Sequence, residues 1–276
     1  MRFGLFGVNF GACADPATQT RVVRAAEESG FDSVWTGEHV VLPVRDNPVP
    51  TPPETPMLDS LVALTRAAAL TSRMKLGTGI LVLPHHNPVV LAKALASLDV
   101  VSEGRLIAGF AGGYVAAEFR ALGVDFTKRG AITDDALAAI RALWTEEVPV
   151  HRGRFTSFAD VRFEPKPRQR PHPPIVIGGG GASALARAAR HDGWYGFART
   201  VDDTAGIVRE LARLRRELGR DGAPFEISLT TFERLDEALL ERAEAAGIHR
   251  LIVQPRVRPE GLEDRVREIG ARFCRA

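Results

Sequence analysis

Residues 105–114 read Arg-Leu-Ile-Ala-Gly-Phe-Ala-Gly-Gly-Tyr, a short apolar run that ends in clustered glycines. Residues 174–182, Pro-Ile-Val-Ile-Gly-Gly-Gly-Gly-Ala, repeat this pattern later in the chain. An apolar run that stops at glycine is typical of a strand buried on both faces of a parallel sheet. Either run alone also fits an ordinary strand-to-helix turn. Because parallel α/β folds bind ligands at the carboxyl ends of their strands, two such turns favour a cofactor-binding site.

The rest of the chain alternates strand and helix about eight times. This alternation predicts an α/β fold, a (β/α)8 TIM barrel. An open doubly wound sheet is the alternative, and eight strands without an obvious sheet edge favour closure. The predicted strands cover residues 2–8, 31–36, 75–83, 105–114, 175–177, 194–197, 225–231 and 250–254.

Insertion segments follow strands two and four. A proline-rich loop runs from Val41 to Met57, and loops of this length are usually lids or partner contacts. The second insertion segment, Val115–Arg129, follows strand four. The polar stretch Glu146–Pro173 contains predicted extended pieces at His151–Phe155 and Val161–Glu164. It has too few apolar residues for a core of its own, so the 276 residues are predicted to form one domain.

Composition limits the partners and the compartment. The chain has 36 Lys plus Arg against 34 Asp plus Glu, so its net charge of +2 gives no reason to expect nucleic acid as a partner. Cys13 and Cys274 lie near opposite ends and fit a reducing cytoplasm. No apolar run approaches the ~20 residues of a membrane span, so we expect a soluble cytoplasmic protein without membrane contact.

Six different sequence motifs follow one another along most of the chain. They are Val34-Trp-Thr-Gly-Glu-His39, Leu76-Gly-Thr-Gly-Ile-Leu81, Asn87-Pro-Val-Val-Leu-Ala-Lys93, Ser102-Glu-Gly-Arg105, Pro171-His-Pro-Pro-Ile-Val-Ile-Gly-Gly-Gly180 and Ala188-Ala-Arg-His-Asp-Gly-Trp194. Together they resemble the luciferase-like monooxygenase superfamily, and most closely its F420-dependent oxidoreductase branch. The resemblance implies an oxidoreductase that transfers a hydride between F420 and a small organic substrate. Other branches use FMN, so an FMN-dependent monooxygenase that uses oxygen is the alternative.

The resemblance further implies a deazaflavin or flavin across the carboxyl ends of the strands. A cis peptide at Gly79-Ile80 would press behind the middle ring, and an ordinary trans bulge is the alternative. The glycines at 178–181 open onto a helix, and bare amides at a helix start suit a cofactor phosphate. Cofactor contacts are predicted for Glu38, His39, Gly79, Ile80, Ala111, Gly112, Gly113, Ile177, Gly178, Gly179, Gly180, Gly181 and Ser183.

Glu38, His39 and Tyr114 are the predicted catalytic residues. In related F420 enzymes an acidic residue followed by His contacts the ring or the substrate, and His exchanges protons near neutral pH. Anchoring of the following loop is the alternative for His39. Tyr114 stands where a sugar-phosphate-oxidising F420 dehydrogenase carries a catalytic acid, and it can donate a hydrogen bond or simply line the site. Glu118 comes one turn later, and the sequence alone does not bring it within reach.

His85 and His86 precede Asn87-Pro88, so we assign them a role at the start of the next helix. No His-x-x-x-His pair or carboxylate triad accompanies them, and no metal site is predicted. A non-catalytic flavin- or ligand-binding barrel is the rival hypothesis, because the usual acid is missing. The insertion segments are expected to select the substrate, and a homodimer is expected by analogy with relatives.

Overall fold

The computed structural model describes residues 1–274 and shows a closed barrel of parallel strands. Its strands are β1 Arg2–Phe6, β2 Ser33–Thr36, β3 Lys75–Thr78, β4 Leu81–Val82, β5 Leu106–Ala111, β8 Ile175–Gly178, β9 Gly193–Phe197, β10 Glu226–Thr230 and β11 Arg250–Val253; β6 His151–Arg152 and β7 Ser157–Phe158 lie outside it. Neighbours follow the order β3-β2-β1-β11-β10-β9-β8-β5-β4, and β3 also pairs with β5, which closes the cylinder. The predicted (β/α)8 barrel is therefore confirmed and the open sheet is excluded. We call its eight positions staves and number them in chain order: β1, β2, β3 with β4, β5, β8, β9, β10 and β11.

The third stave of the barrel consists of two strands, where the sequence predicts one continuous strand over residues 75–83. β3 ends at Thr78 and β4 begins at Leu81. The peptide between Gly79 and Ile80 is cis, as the family resemblance implies. After the cis peptide, Leu81 of β4 pairs with Phe110 of β5, so this part of the stave is hydrogen-bonded to only one neighbouring strand.

Helices follow the strands as the alternation predicts. Asp15 and Asn87 cap the first and third helices with side chains that accept backbone N–H groups, as expected for these residue types. Within residues 1–274, no helix is both long and apolar enough to cross a bilayer. The helices are α1 Pro16–Glu28, α2 Ser60–Leu70, α3 Pro88–Val101, α4 Ala116–Ala121, α5 Arg129–Thr145, α6 Ala182–Ala188, α7 Val201–Glu217, α8 Glu237–Ala245 and α9 Leu262–Ile269.

The segment 146–173 forms a small hairpin in which β6 and β7 pair antiparallel. The extended piece predicted at His151–Phe155 is thus partly right, and the one at Val161–Glu164 is wrong. Instead of pairing, Phe163 is buried beneath the ammonium groups of Lys93 and Lys166, which lie 4.6 and 5.6 Å from its ring centre. Packing of this ring onto α3 holds the segment as irregular chain.

Aromatic rings fill the middle of the barrel. Trp35 and Tyr195 stack with their ring centroids 5.6 Å apart and their planes 10° from parallel, and both are almost fully buried. Gly77 makes room for this stack, because a Cβ there would overlap the Trp35 indole. At the amino end Arg250 is 2% exposed and ion-paired with Asp32 and Glu226. The interior is therefore a packed core and not a pore.

Gly109 provides a test of this packing. A Cβ at this position would overlap the carbonyl oxygen of Thr78 on the adjacent stave, and backbone cannot move aside as a side chain can. We expect Gly109→Ala to lower the free energy of unfolding by about 2–3 kcal/mol, measured by urea denaturation. Gly222→Ala is the matched control, because nothing lies within 4 Å of its added Cβ. Equal stability of the two variants would contradict the packing argument.

Candidate active site

The two ends of the barrel differ in chemistry. A cavity of about 440 Å³ lies at the amino end, lined by Arg250, Asp32 and Glu226. Its buried guanidinium and carboxylates already satisfy one another as ion pairs. The carboxyl end carries histidines, glycine turns and exposed aromatic rings. Since ligands of such barrels bind at the carboxyl ends of the strands, this mouth is the candidate active site.

The three glycine-containing places predicted to converge do meet at the carboxyl mouth. The side chain of Ile80, in the break between β3 and β4, reaches Gly178, where a Cβ would overlap its Cδ1 atom. A Cβ on Gly113 would lie 2.6 Å from Val82 of β4. Staves three, four and five therefore pack so closely at this mouth that a side chain at Gly113 or Gly178 would collide with a neighbouring stave.

The glycine turn after β8 leaves main chain open to solvent. Gly179 and Gly181 are exposed, and no atom lies within 4 Å of a Cβ built on Gly181. Ser183 is exposed in the first turn of α6, which has only seven residues. Ile177 differs from its neighbours, because its side chain is fully buried in the core and only its backbone can face the mouth.

Arg199 lies beside this turn, although no sequence motif singles it out. It lies two residues after β9, and a Cβ on Gly180 would overlap its guanidinium. Within residues 1–274 the Arg199 guanidinium has no carboxylate partner. A guanidinium next to bare main chain is well suited to bind a phosphate or carboxylate.

His39 and Glu118 form a partly buried pair beside the Ala111–Gly113 turn. The Nδ1 atom of His39 lies 3.0 Å from a carboxylate oxygen of Glu118, and the backbone N–H of Val40 donates to the other oxygen at 2.9 Å. Glu118 is 2% exposed. The sequence did not bring it within reach, but Gly113 adopts a φ of +79°, and the chain then leads α4 back over the end of β2.

The hydrogen bond between His39 and Glu118 leaves one ring nitrogen of His39 available for proton transfer. A carboxylate accepts a hydrogen bond from Nδ1–H, so the other ring nitrogen of His39 keeps its lone pair and can take up a proton. Tyr114 contacts His39 edge to face with the ring centroids 6.2 Å apart, and is 58% exposed. Partial burial, together with the charge of Glu118, raises the pKa of Tyr114, so its hydroxyl remains a hydrogen-bond donor.

Glu38 forms a second carboxylate–histidine pair. One oxygen of Glu38 lies 2.9 Å from Nε2 of His86, and the other accepts the N–H of Val82 at 2.6 Å. Glu38 therefore ties β2 to β4, and its catalytic role stays a prediction. His86 does more than begin a helix, because the cap of α3 is the Asn87 side chain.

His85 lies near both pairs and has no partner of its own. Neither ring nitrogen makes a hydrogen bond to any residue in the described part of the chain, and the ring packs edge to face on Phe119 at 4.7 Å. Burial lowers the pKa of His85 despite the nearby charges of Glu118 and Glu38, so the ring is neutral at pH 7. Among residues 1–274, no group of three or more His, Cys, Asp or Glu is arranged to hold a metal ion.

Comparisons with known proteins place the chain in a family. A family model described as luciferase-like monooxygenase matches residues 1–272. An uncharacterised protein of Mycobacterium tuberculosis is 34% identical over 229 residues, which cover 77% of this chain and 78% of the relative. The oxygenase component of a flavin-dependent trigonelline monooxygenase from Acinetobacter baylyi is 31% identical over 186 residues, 64% of this chain and 48% of that protein. A solved F420-dependent secondary alcohol dehydrogenase, in complex with an F420-acetone adduct, shares the fold with a TM-score of 0.79, at 17% identity and 98% coverage of both chains.

The Glu38–His86 pair should make stability depend on pH. Burial alone would lower the pKa of His86, but the hydrogen bond to Glu38 together with the negative charges of Glu38 and Asp59 outweighs burial, and the net shift of the pKa is upward. A raised folded-state pKa adds stability that is fully present below the unfolded value of about 6.5 and is lost as pH rises through the folded value. We expect His86→Gln to cost about 1–2 kcal/mol at pH 5.5 and less at pH 9, measured by urea unfolding.

His249→Gln is the opposite-sign control for this measurement. Burial lowers the pKa of His249, and its Nδ1 accepts the N–H of Ile227 at 3.0 Å, so the neutral ring is favoured. The cost of His249→Gln should therefore be larger at pH 9 than at pH 5.5. A cost of His86→Gln that grows with pH would contradict the proposed pairing.

Proposed function

The chain belongs to the luciferase-like monooxygenase family, and we propose that it is an oxidoreductase that transfers a hydride between F420 and a small organic substrate. The observation that carries the proposal is the His39–Glu118 pair beside the glycine turns of the carboxyl mouth. A hydride leaving a carbon that bears a hydroxyl must be accompanied by loss of the hydroxyl proton. The pair supplies an acceptor for that proton next to the surface on which a cofactor would lie.

The residues at the mouth fit F420 and also fit FMN, since both have a tricyclic ring and a phosphate. Gly79 and Ile80 would lie behind the ring, and Ala111–Gly113 would form an adjoining wall without side chains. The open main chain at Gly179–Gly181 and the guanidinium of Arg199 would hold the phosphate. When bound, F420 supplies a carbon that accepts or donates a hydride, while the protein holds the ring and substrate in reacting orientation.

His39 would move the proton at its Nε2 atom. In the oxidation of an alcohol, Nε2 accepts the proton of the hydroxyl group while the carbon that bears this group loses its hydride to the cofactor. The alcohol then becomes a carbonyl compound. The Glu118 carboxylate stabilises the imidazolium that forms and holds the ring in its tautomer. In the reverse direction the same nitrogen donates the proton. Tyr114 would donate a hydrogen bond to the substrate oxygen, since its hydroxyl stays protonated.

An FMN-dependent monooxygenase is the second candidate. It is favoured by the 31% identity to the oxygenase component of a flavin-dependent trigonelline monooxygenase. F420 is preferred here because a histidine–carboxylate pair suits coupled proton and hydride transfer. The F420-dependent alcohol dehydrogenase of the same fold is consistent with that preference.

Cofactor binding separates the two candidates. We expect F420 to bind in the low micromolar range or tighter and FMN more weakly, measured by equilibrium fluorescence titration. Arg199→Met should weaken cofactor binding about tenfold, because a charge-assisted hydrogen bond to the phosphate is lost. Arg209→Met is the control, since this exposed arginine lies on α7 and has no ion pair within residues 1–274. Tighter binding of FMN would overturn the choice of cofactor.

Turnover tests the acid–base assignment. With the cofactor bound, a panel of alcohols, aldehydes and ketones is screened for hydride transfer by absorbance. His39→Ala should lower kcat by at least about 100-fold, and Glu118→Gln should lower it less, with KM changed little. Glu241→Gln on α8 is the control. Full activity of His39→Ala would remove His39 from the mechanism, and cofactor binding without any turnover would favour the non-catalytic barrel.

A further inference from the structure

Four phenylalanines cluster at the carboxyl ends of β1, β9 and β10. Phe6 ends β1 and packs against Phe10 at 5.7 Å and Phe197 at 5.1 Å between ring centroids. Phe197 ends β9 and meets Phe232 edge to face at 5.7 Å. We refer to Phe10, Phe6, Phe197 and Phe232 as the aromatic wall. It spans the ends of staves one, six and seven, which are contributed by distant parts of the chain.

The aromatic wall is not covered by the protein. Phe197 is 40% and Phe232 37% exposed, while Phe6 beneath them is 7% exposed. Aromatic rings bury a large apolar area when they are covered, so leaving Phe197 and Phe232 exposed side by side is typical of a ligand-binding surface. Two edge-to-face contacts and the tilted Phe6–Phe197 contact hold the rings relative to one another, which gives the wall a defined shape for a flat molecule.

Arg256 adds a charge at one end of this wall. Its guanidinium lies 3.8 Å from the ring centre of Phe232. Within residues 1–274, the Arg256 side chain makes no ion pair or hydrogen bond. The nearby carboxylate of Glu233 is already bound to Arg242 at 2.6 Å and to the N–H of Val201 at 2.7 Å. A guanidinium stacked on a ring keeps its edge N–H donors free for a carboxylate.

The aromatic wall lies next to the groups proposed to act in the reaction. Staves two, three and four carry His39, Gly79–Ile80 and Ala111–Gly113, whereas the wall lies on staves one, six and seven and Arg256 follows stave eight. The two sets of residues meet at Phe6, because a Cβ on Gly79 would lie 3.5 Å from its ring. A molecule held against the wall therefore lies beside the surface proposed for the cofactor. The carboxylates Glu38 and Glu118 are paired with histidines, so neither of them is free to bind a cationic substrate.

We propose that the aromatic wall and Arg256 bind the substrate, and that this substrate is a planar aromatic molecule bearing a carboxylate. The inference rests on the proposed function, since it assigns the substrate half of the same mouth. The rings supply flat apolar contact and Arg256 supplies a two-pronged donor for the carboxylate.

The test compares two probes of the same shape, 2-naphthoate and its neutral amide 2-naphthamide. Each is titrated into the full-length protein saturated with the tighter-binding cofactor, and fluorescence gives Kd. We expect naphthoate to bind at least tenfold more tightly than naphthamide. Arg256→Met should remove this difference and leave the affinity for naphthamide unchanged. Arg258→Met, two residues further along, is the matched control and should leave both affinities unchanged. Equal affinity for the two probes in the wild type, or no effect of Arg256→Met, would overturn the assignment of Arg256.

A second variant tests the aromatic wall. Phe197→Leu should weaken both probes by about fivefold, because ring stacking is lost while the site remains apolar. Unchanged affinities with an unchanged unfolding midpoint would overturn the role of the wall. Cofactor affinity is measured first, and the probes are also titrated into the protein without cofactor. Probe binding by a protein that binds neither cofactor would refute the proposed function alone, whereas cofactor binding without the expected probe selectivity would refute this inference alone.

Discussion

Close packing of Trp35 on Tyr195 inside the barrel is the constraint on which the rest of the structure depends. The two stacked rings fill the cylinder, and Gly77 and Gly109 are needed to let the neighbouring staves approach them and one another. Since the middle is solid, a ligand can bind only at an end. At the amino end the charges of Arg250, Asp32 and Glu226 already satisfy one another, so the carboxyl mouth is the candidate active site.

That mouth divides into two halves with different chemical character. Staves two to five offer bare main chain and two carboxylate–histidine pairs, Glu38–His86 and Glu118–His39. Pairing with a histidine lowers the free-energy cost of burying each carboxylate, and it also orients the imidazole ring. The other half offers phenylalanine rings and the guanidinium of Arg256. A cofactor on one half and a substrate on the other would meet beside His39.

Much of this arrangement could be predicted from local sequence patterns. The alternation of strands and helices gave the barrel, and the two glycine-ended runs marked the turns that meet at the mouth. The partners of the histidines could not be predicted. Glu118 lies 79 positions from His39 along the chain, and no local pattern reports a contact at that separation. Arg199 and the aromatic wall were missed for the same reason, because single arginines and phenylalanines are common and only their spatial neighbours distinguish them.

The sequence by itself determined the order of elements, the closed α/β architecture and the glycine turns, because periodicity, caps and turn residues act over a few positions. Only the tertiary structure decided which side chains share the mouth. Ring closure brings the ends of eight distant staves together, and a local detail such as the φ of Gly113 directs α4 so that Glu118 contacts His39. Contacts of this kind depend on the geometry of the whole barrel, so no local sequence pattern near either residue predicts them.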